Sequence, residues 1–171
     1  MYLNFDKVLV GLLVFFFFGF SLQKKVKFKQ IVQTTLFCWI SCCLIMISAA
    51  IYWGALRWDP KLPSETLVFI LNNLFMVCIA EEAFFRRYVQ GHLQGLFKFR
   101  AGHLCALLIA SALFGLAHFE DGPLMIAFAS AAGLFYGLAY LKTGRLEAAV
   151  LTHFGFNLIH FLFFSYPSLI R

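Results

Sequence analysis

The sequence predicts an all-α, polytopic transmembrane helical bundle of about six spans, and three observations carry that prediction. Hydrophobic residues make up 62% of the 171-residue chain, and the mean hydropathy is +0.84. Charged residues make up only 13%, against about 25% in a soluble domain. The apolar residues fall in runs long enough to cross a bilayer, which takes about 20 residues of helix. A soluble fold with so few charges would leave its surface dry, so the apolar excess must face lipid.

The elements follow in order. Residues 3–22 form the first apolar run. Lys7 is its only basic flank, and no small-residue cleavage site follows, so it reads as a retained span and not a signal peptide. The second and third runs cover 31–53 and 67–97, and the last three cover 103–119, 123–141 and 146–164. No soluble domain or low-complexity linker interrupts them, so residues 1–171 read as one transmembrane domain.

The net charge of +6 is not the signature of a nucleic-acid binder. Lys24, Lys25, Lys27 and Lys29 share one short loop, and most other cations also flank apolar runs. No basic face with interleaved aromatics lies outside the spans, so no nucleic-acid partner is expected. The lipid bilayer is the expected partner, and the loop charges set the orientation. Lys24, Lys25, Lys27, Lys29, Lys98, Arg100, Lys142 and Arg145 gather on one side. Lys7, Arg57, Lys61 and Arg171, with Asp6, Asp59, Glu120 and Asp121, lie on the other. The asymmetry puts the lysine loop in the cytoplasm and both termini outside. An integral protein of a prokaryotic cytoplasmic membrane is the expected setting.

Five cysteines, Cys38, Cys42, Cys43, Cys78 and Cys105, all lie in apolar stretches without a C-x-x-C pair, and read as small buried hydrophobes. Ala129, Gly133 and Gly137 recur every four residues, as do Ser111 and Gly115. Such spacing lets helix backbones touch. Packing within the bundle is the favoured reading, and the stripe also allows a dimer beside a monomer.

Glu81, Glu82, Arg86 and Arg87 interrupt the third run. Either the helix ends near Ala80 and leaves these charges in a solvated cap, or it continues to about Phe97 and buries them. Depth favours the continuous helix. At about 1.5 Å per residue, Glu82 lies about 24 Å from Lys98, His118 about 27 Å from Arg100 and Asn157 about 18 Å from Arg145. His153 comes out shallower, at about 12 Å. Each charge at a span centre costs about 2.5–3.5 kcal/mol, so four sum to roughly 10 kcal/mol and must be offset by pairing, protonation or an internal hydrated cavity. Glu82 and Arg86 are four apart and can pair on one helix face. Glu81 points about 100° away, towards another neighbour.

Other spans supply matching groups. Phe114 and His118 are four apart, as are His153 and Asn157, and each pair shares a face. A lone histidine on an apolar face is more often structural, but two of them with two glutamates and an asparagine in one small bundle point to chemistry. His92 and His103 fit a structural role, while His160, one turn beyond Asn157, is a supporting candidate.

Together these groups suit hydrolysis. Desolvation makes the Glu81 carboxylate a stronger proton acceptor, fit to activate water. His118 can accept from or orient that water, and His153 and Asn157 can donate to the developing oxyanion, at roughly 3–4 kcal/mol per donor. No serine or cysteine stands in a recognisable nucleophile setting, which favours direct attack by water. No cofactor is expected. Zinc is the rival chemistry, because two Glu and two His are possible ligands. Against it, the H-E-x-x-H pattern is missing and Arg86 competes for Glu82. A non-catalytic immunity or scaffold protein and a proton-coupled transporter are the alternatives from other classes.

The same residues resemble the CAAX-protease and bacteriocin-processing family of intramembrane proteases. Glu81-Glu82-Ala83-Phe84-Phe85-Arg86 resembles its E-E-x-x-x-R motif, Phe114-Gly115-Leu116-Ala117-His118 its F-x-x-x-H motif, and His153-Phe154-Gly155-Phe156-Asn157 the H-x-x-x-N form of its last motif. Thr143-Gly144-Arg145-Leu146 looks like its usual lead-in. The resemblance covers roughly 64–164 and leaves the spans within 1–63 without motif support. It implies a glutamate-dependent endopeptidase acting on a membrane-associated peptide or protein. Glu81 would activate water, His118, Glu82 and Arg86 would assist, and His153 with Asn157 would hold the oxyanion.

Overall fold

A computed structural model describes residues 26–165. The first predicted span, 3–22, lies outside the described residues. The rest is all-α, with five helices: α1 (Phe28–Tyr52), α2 (Thr66–Leu96), α3 (Gly102–Leu116), α4 (Pro123–Thr143) and α5 (Leu146–Phe163). All but α3 are long and apolar enough to cross a membrane. The predicted run 103–119 becomes a helix that stops at Leu116. At 15 residues it is about 22 Å long, short of a hydrocarbon core of about 30 Å. Large apolar side chains such as Phe37, Leu44, Leu67 and Leu104 point outwards and are exposed, which is where the surplus of hydrophobic residues goes.

α2 resolves the question of the charged segment, because it runs unbroken through Glu81 to Arg87. Two stretches within it, Asn73–Cys78 and Ala83–Gln90, are π-helical. They bracket the two glutamates, and such wide turns concentrate at functional positions.

Contacts fix the directions of the helices. Positions 115, 111 and 107 of α3 meet Ser130, Gly133 and Gly137 of α4 in turn, so these two are antiparallel. Glu82 and Asn73 of α2 meet His153 and Asn157 of α5 in the same antiparallel sense. α4 packs against α1, α3 and α5, and its small residues lie at the core of the bundle. The stripe read from sequence is thus used internally. A Cβ on Gly133 would come within 3.3 Å of an Arg86 amine, and one on Gly137 would meet the Leu107 side chain and lie 2.8 Å from Gln90 Oε1.

Turn chemistry sets the ends of α4. Gly122, at φ +91°, precedes Pro123 in the first turn, where proline lacks no needed donor. Gly144 closes the helix in the left-handed region and donates to the Tyr140 carbonyl at 2.6 Å. Thr143 Oγ1 donates to the Ala139 carbonyl at 2.6 Å and accepts from the Arg145 amide at 3.1 Å. This gives the Thr-Gly-Arg lead-in a physical reason: it is the tight turn that sends α5 back beside α4. At the opposite end, the sequence reading missed a two-residue antiparallel ladder. Arg57–Trp58 pairs with Phe164–Ser165, and Lys61 Nζ donates to the Phe164 carbonyl at 2.6 Å.

Candidate active site

Glu82 and Arg86 are both fully buried, and Arg86 Nε donates to Glu82 Oε2 at 2.8 Å. The second carboxylate oxygen, Oε1, lies 2.9 Å from His153 Nδ1. An ionised carboxylate only accepts, so the proton of this contact belongs on Nδ1. Arg86 sits over the Phe114 ring, 5.2 Å from its centroid, in space that Gly133 and Gly137 leave open on α4. The glycine spacing therefore makes room for a guanidinium as well as for a helix.

Glu81 takes a different direction from Glu82, as a rotation of about 100° per residue requires. It is half-buried and lines a cavity of about 490 Å³ together with His118, His153 and Asn157. Four of the six sequence-predicted site residues therefore share one cavity. The other two, Glu82 and Arg86, form the ion pair behind His153.

His118 is placed in a way the sequence did not indicate. α3 ends at Leu116, and His118 lies just beyond it, before a short turn over Phe119–Asp121. It keeps its relation to Phe114 through the backbone, with His118 Nδ1 2.9 Å from the Phe114 carbonyl. A carbonyl only accepts, so Nδ1 carries the proton and a neutral ring presents the lone pair of Nε2.

Phe114 is the hub of the aromatic packing. Its ring lies 5.0 Å from that of His118, 5.7 Å and edge-on from that of His153, and 5.2 Å and edge-on from that of Phe85. Its place four residues before His118 is thus a packing requirement shared by three site residues. His160 lines the same cavity and packs on Phe156 at 4.4 Å.

Three contributors escaped the sequence reading. Tyr136 of α4 is buried and stacks on His153, with centroids 4.5 Å apart and planes within 11°. Asn73 Oδ1 accepts from Asn157 Nδ2 at 3.3 Å and from the Cys78 thiol at 3.3 Å. Cys78 also lies 3.8 Å from Asn157 Nδ2. The signal for Asn73 was available, since it is an amide within an apolar run, as Asn157 is. Its pairing with Cys78 was not, because residues five apart point about 140° away from each other on an α-helix. The π-helical stretch Asn73–Cys78 brings them to one side. Cys78 is fully buried, also bonds to His153 and is absent from the cavity lining, so its thiol is placed to support Asn73, Asn157 and His153 and not to meet a substrate.

Among the described residues, no group of three or more His, Cys, Asp or Glu side chains is gathered as a metal site. Glu82, the carboxylate nearest His153, has both oxygens engaged.

A model of the Rce1-like type II CAAX prenyl endopeptidase family matches residues 63–159, more than half of the chain and the stretch that holds all three motifs. No curated protein and no solved structure matches. The motif residues meet inside one membrane bundle and the family match spans them, so the chain belongs to the Rce1-like family of type II CAAX prenyl endopeptidases and is an intramembrane protease.

Proposed function

We propose that the chain hydrolyses a peptide bond of a membrane-associated peptide or protein by direct attack of water, with Glu81 as the general base. The observation that carries this reading is the shared cavity, in which Glu81 from α2, His153 and Asn157 from α5 and His118 from the turn after α3 converge. His118, with Nδ1 held by the Phe114 carbonyl, offers Nε2 as an acceptor that orients the same water. Glu82 and Arg86 act from behind, fixing the His153 ring by hydrogen bond and ion pair. With Glu82 holding the proton at Nδ1, a His153 Nε2 that donates means a doubly protonated ring, whose counter-charge is the Glu82 carboxylate. Asn157 is held through one amide N–H by Asn73, and its second N–H, which makes only the long 3.8 Å contact to the Cys78 sulfur, is the neutral donor that would turn to the oxyanion. Two such donors suit an oxyanion, each worth roughly 3–4 kcal/mol in comparable sites.

Four described helices long enough to span, the shorter apolar α3 and the apolar run 3–22 would make up the six-segment bundle in one domain, with the basic loops in the cytoplasm. The reading is tested by comparing membrane-protein termini in cells carrying the wild-type protein or Glu81→Gln. New termini present with the wild type and missing with the variant support it. An identical set of termini, with both proteins present at equal level in the membrane, removes the glutamate base.

A further inference from the structure

Gln90 lies on α2 four residues beyond Arg86, outside all three motifs. Its side chain is fully buried, and its Nε2 donates to the Gly137 carbonyl of α4 at 3.0 Å. That bond fixes the amide, since a carbonyl only accepts, and it leaves Oε1 as the acceptor on the other branch. The point at which a Gly137 Cβ would stand is 2.8 Å from this Oε1 and 3.3 Å from Arg86 Nη1. Both atoms therefore border one notch in α4. Gly133 makes a second notch: its Cβ position is 3.3 Å from Arg86 Nη2 and 3.5 Å from the Cα of Ser111 on α3.

Four polar atoms around these notches lack a hydrogen-bond partner among the described residues: Arg86 Nη1 and Nη2, Gln90 Oε1 and Ser111 Oγ. None of the four is reached by solvent. A buried polar group left unmatched loses its hydration without replacement, and such groups in folded proteins are nearly always paired. The set is complementary. A guanidinium only donates, an amide oxygen only accepts, and a serine hydroxyl rotates to do either. Arg86 spends its Nε on Glu82, which leaves its two outer amines for the two acceptors.

We propose that Gln90 and Ser111 are positioning residues of the catalytic cluster, which clamp the outer edge of the Arg86 guanidinium. Gln90 Oε1 accepts from Nη1 and Ser111 Oγ from Nη2, each after a small rotation of its own side chain. A chain of contacts then runs from the backbone of α4 to the cavity. The Gly137 carbonyl holds Gln90, Gln90 holds Arg86, Arg86 holds Glu82, and Glu82 holds His153. With Nε as its one anchor the guanidinium can tilt, and the carboxylate and the His153 ring tilt with it. A displacement of about 1 Å at a reacting group can cost about 100-fold in rate. The role in turnover rests on the reading of His153 as an oxyanion donor, although the clamp itself does not.

The test compares the full-length protein in proteoliposomes with Gln90→Met, which keeps an unbranched side chain of similar length, and with Ser111→Ala. The substrate is one identified from the cellular termini. Neither residue lines the cavity, so turnover is expected to fall at least about tenfold in Gln90→Met and about threefold in Ser111→Ala, with KM within about twofold of the wild type. Arg86→Lys then separates clamping from packing, because lysine keeps a charge for Glu82 but lacks the fork that two acceptors hold. The fall in unfolding midpoint caused by Gln90→Met is expected to be smaller by about a third or more in the Arg86→Lys background. Unchanged turnover in both single variants overturns the proposal, and so does a rise in KM with turnover kept. An equal midpoint loss in the two backgrounds overturns it as well, since Gln90 would then only fill space. Ser111→Ala, a change of one atom, decides the case if Gln90→Met fails to accumulate. Wild-type turnover in Glu81→Gln removes the glutamate base and leaves these comparisons intact. Unchanged turnover in the Gln90 and Ser111 variants beside an inactive Glu81→Gln removes the clamp alone.

Discussion

Replacing Arg86 with leucine separates the energetic role of the buried ion pair from the chemistry. Arg86 Nε and Glu82 Oε2 are 2.8 Å apart with neither side chain exposed to solvent. Removal of one partner of such a pair strands a buried charge and costs about 3–5 kcal/mol. The remaining bond from His153 to Glu82 places Arg86→Leu at the lower end of that range. Glu82→Gln strands the guanidinium over Phe114 and is expected to cost a similar amount. The double variant removes both charges and is expected to recover to within about 1–2 kcal/mol of the wild type, because no buried charge is left unpaired and the amide carbonyl introduced at position 82 can still accept from His153. The interaction energy between the two sites is then about 4 kcal/mol or more, above the usual range for residues in contact. Equilibrium unfolding of the four proteins in mixed micelles, followed by circular dichroism, measures it. Additive losses, with an interaction energy below about 0.5 kcal/mol, would refute the reasoning, because the pair would not then be desolvated together.

Three further outcomes are expected. Gly137→Ala drives a methyl into Leu107 and to 2.8 Å from Gln90 Oε1, so unfolding measurements should show a loss of about 1–3 kcal/mol, with cleavage falling as Arg86 shifts. Tyr136→Phe keeps the ring on His153 and should retain cleavage, whereas Tyr136→Leu removes the stack and should lower turnover more than substrate affinity in steady-state assays. Cys78→Ala should leave a proteolytic rate within about tenfold of the wild type, since the enclosed thiol only supports Asn73, Asn157 and the His153 ring beside it. Complete loss in Cys78→Ala, with recovery in Cys78→Ser, would point instead to a thiol or hydroxyl nucleophile.

The sequence was most legible where one periodicity governs. The runs 31–53, 123–141 and 146–164 correspond to α1, α4 and α5 because uninterrupted apolar residues in lipid leave the backbone no partner but itself. Pairing of Glu82 with Arg86 followed from four-residue spacing, and depth arithmetic chose the continuous α2 over an early end at Ala80. Legibility failed where regular geometry fails. The end of α3 at Leu116 is set by the turn leading to Gly122 at φ +91°, and nothing in the apolar pattern marks it. The meeting of Asn73 and Cys78 needs a π-helical stretch. Tyr136 lies one helix away from every motif, and only the fold brings it onto His153. The small-residue stripe was readable as close packing, but its accommodation of the Arg86 guanidinium appears only with α2 in place beside α4.

The central claim is that Glu81 activates water in a cavity it shares with His118, His153 and Asn157. Its most direct measurement is peptide-bond cleavage by purified protein in proteoliposomes after exhaustive chelation, using a substrate identified from the cellular termini. Wild type is compared there with Glu81→Gln, His118→Gln and Asn157→Ala. The account expects the chelated wild type to cleave at full rate and each variant to lose at least about 100-fold, with unchanged unfolding midpoints. Wild-type rates in Glu81→Gln, or activity lost on chelation and restored by zinc, would contradict it.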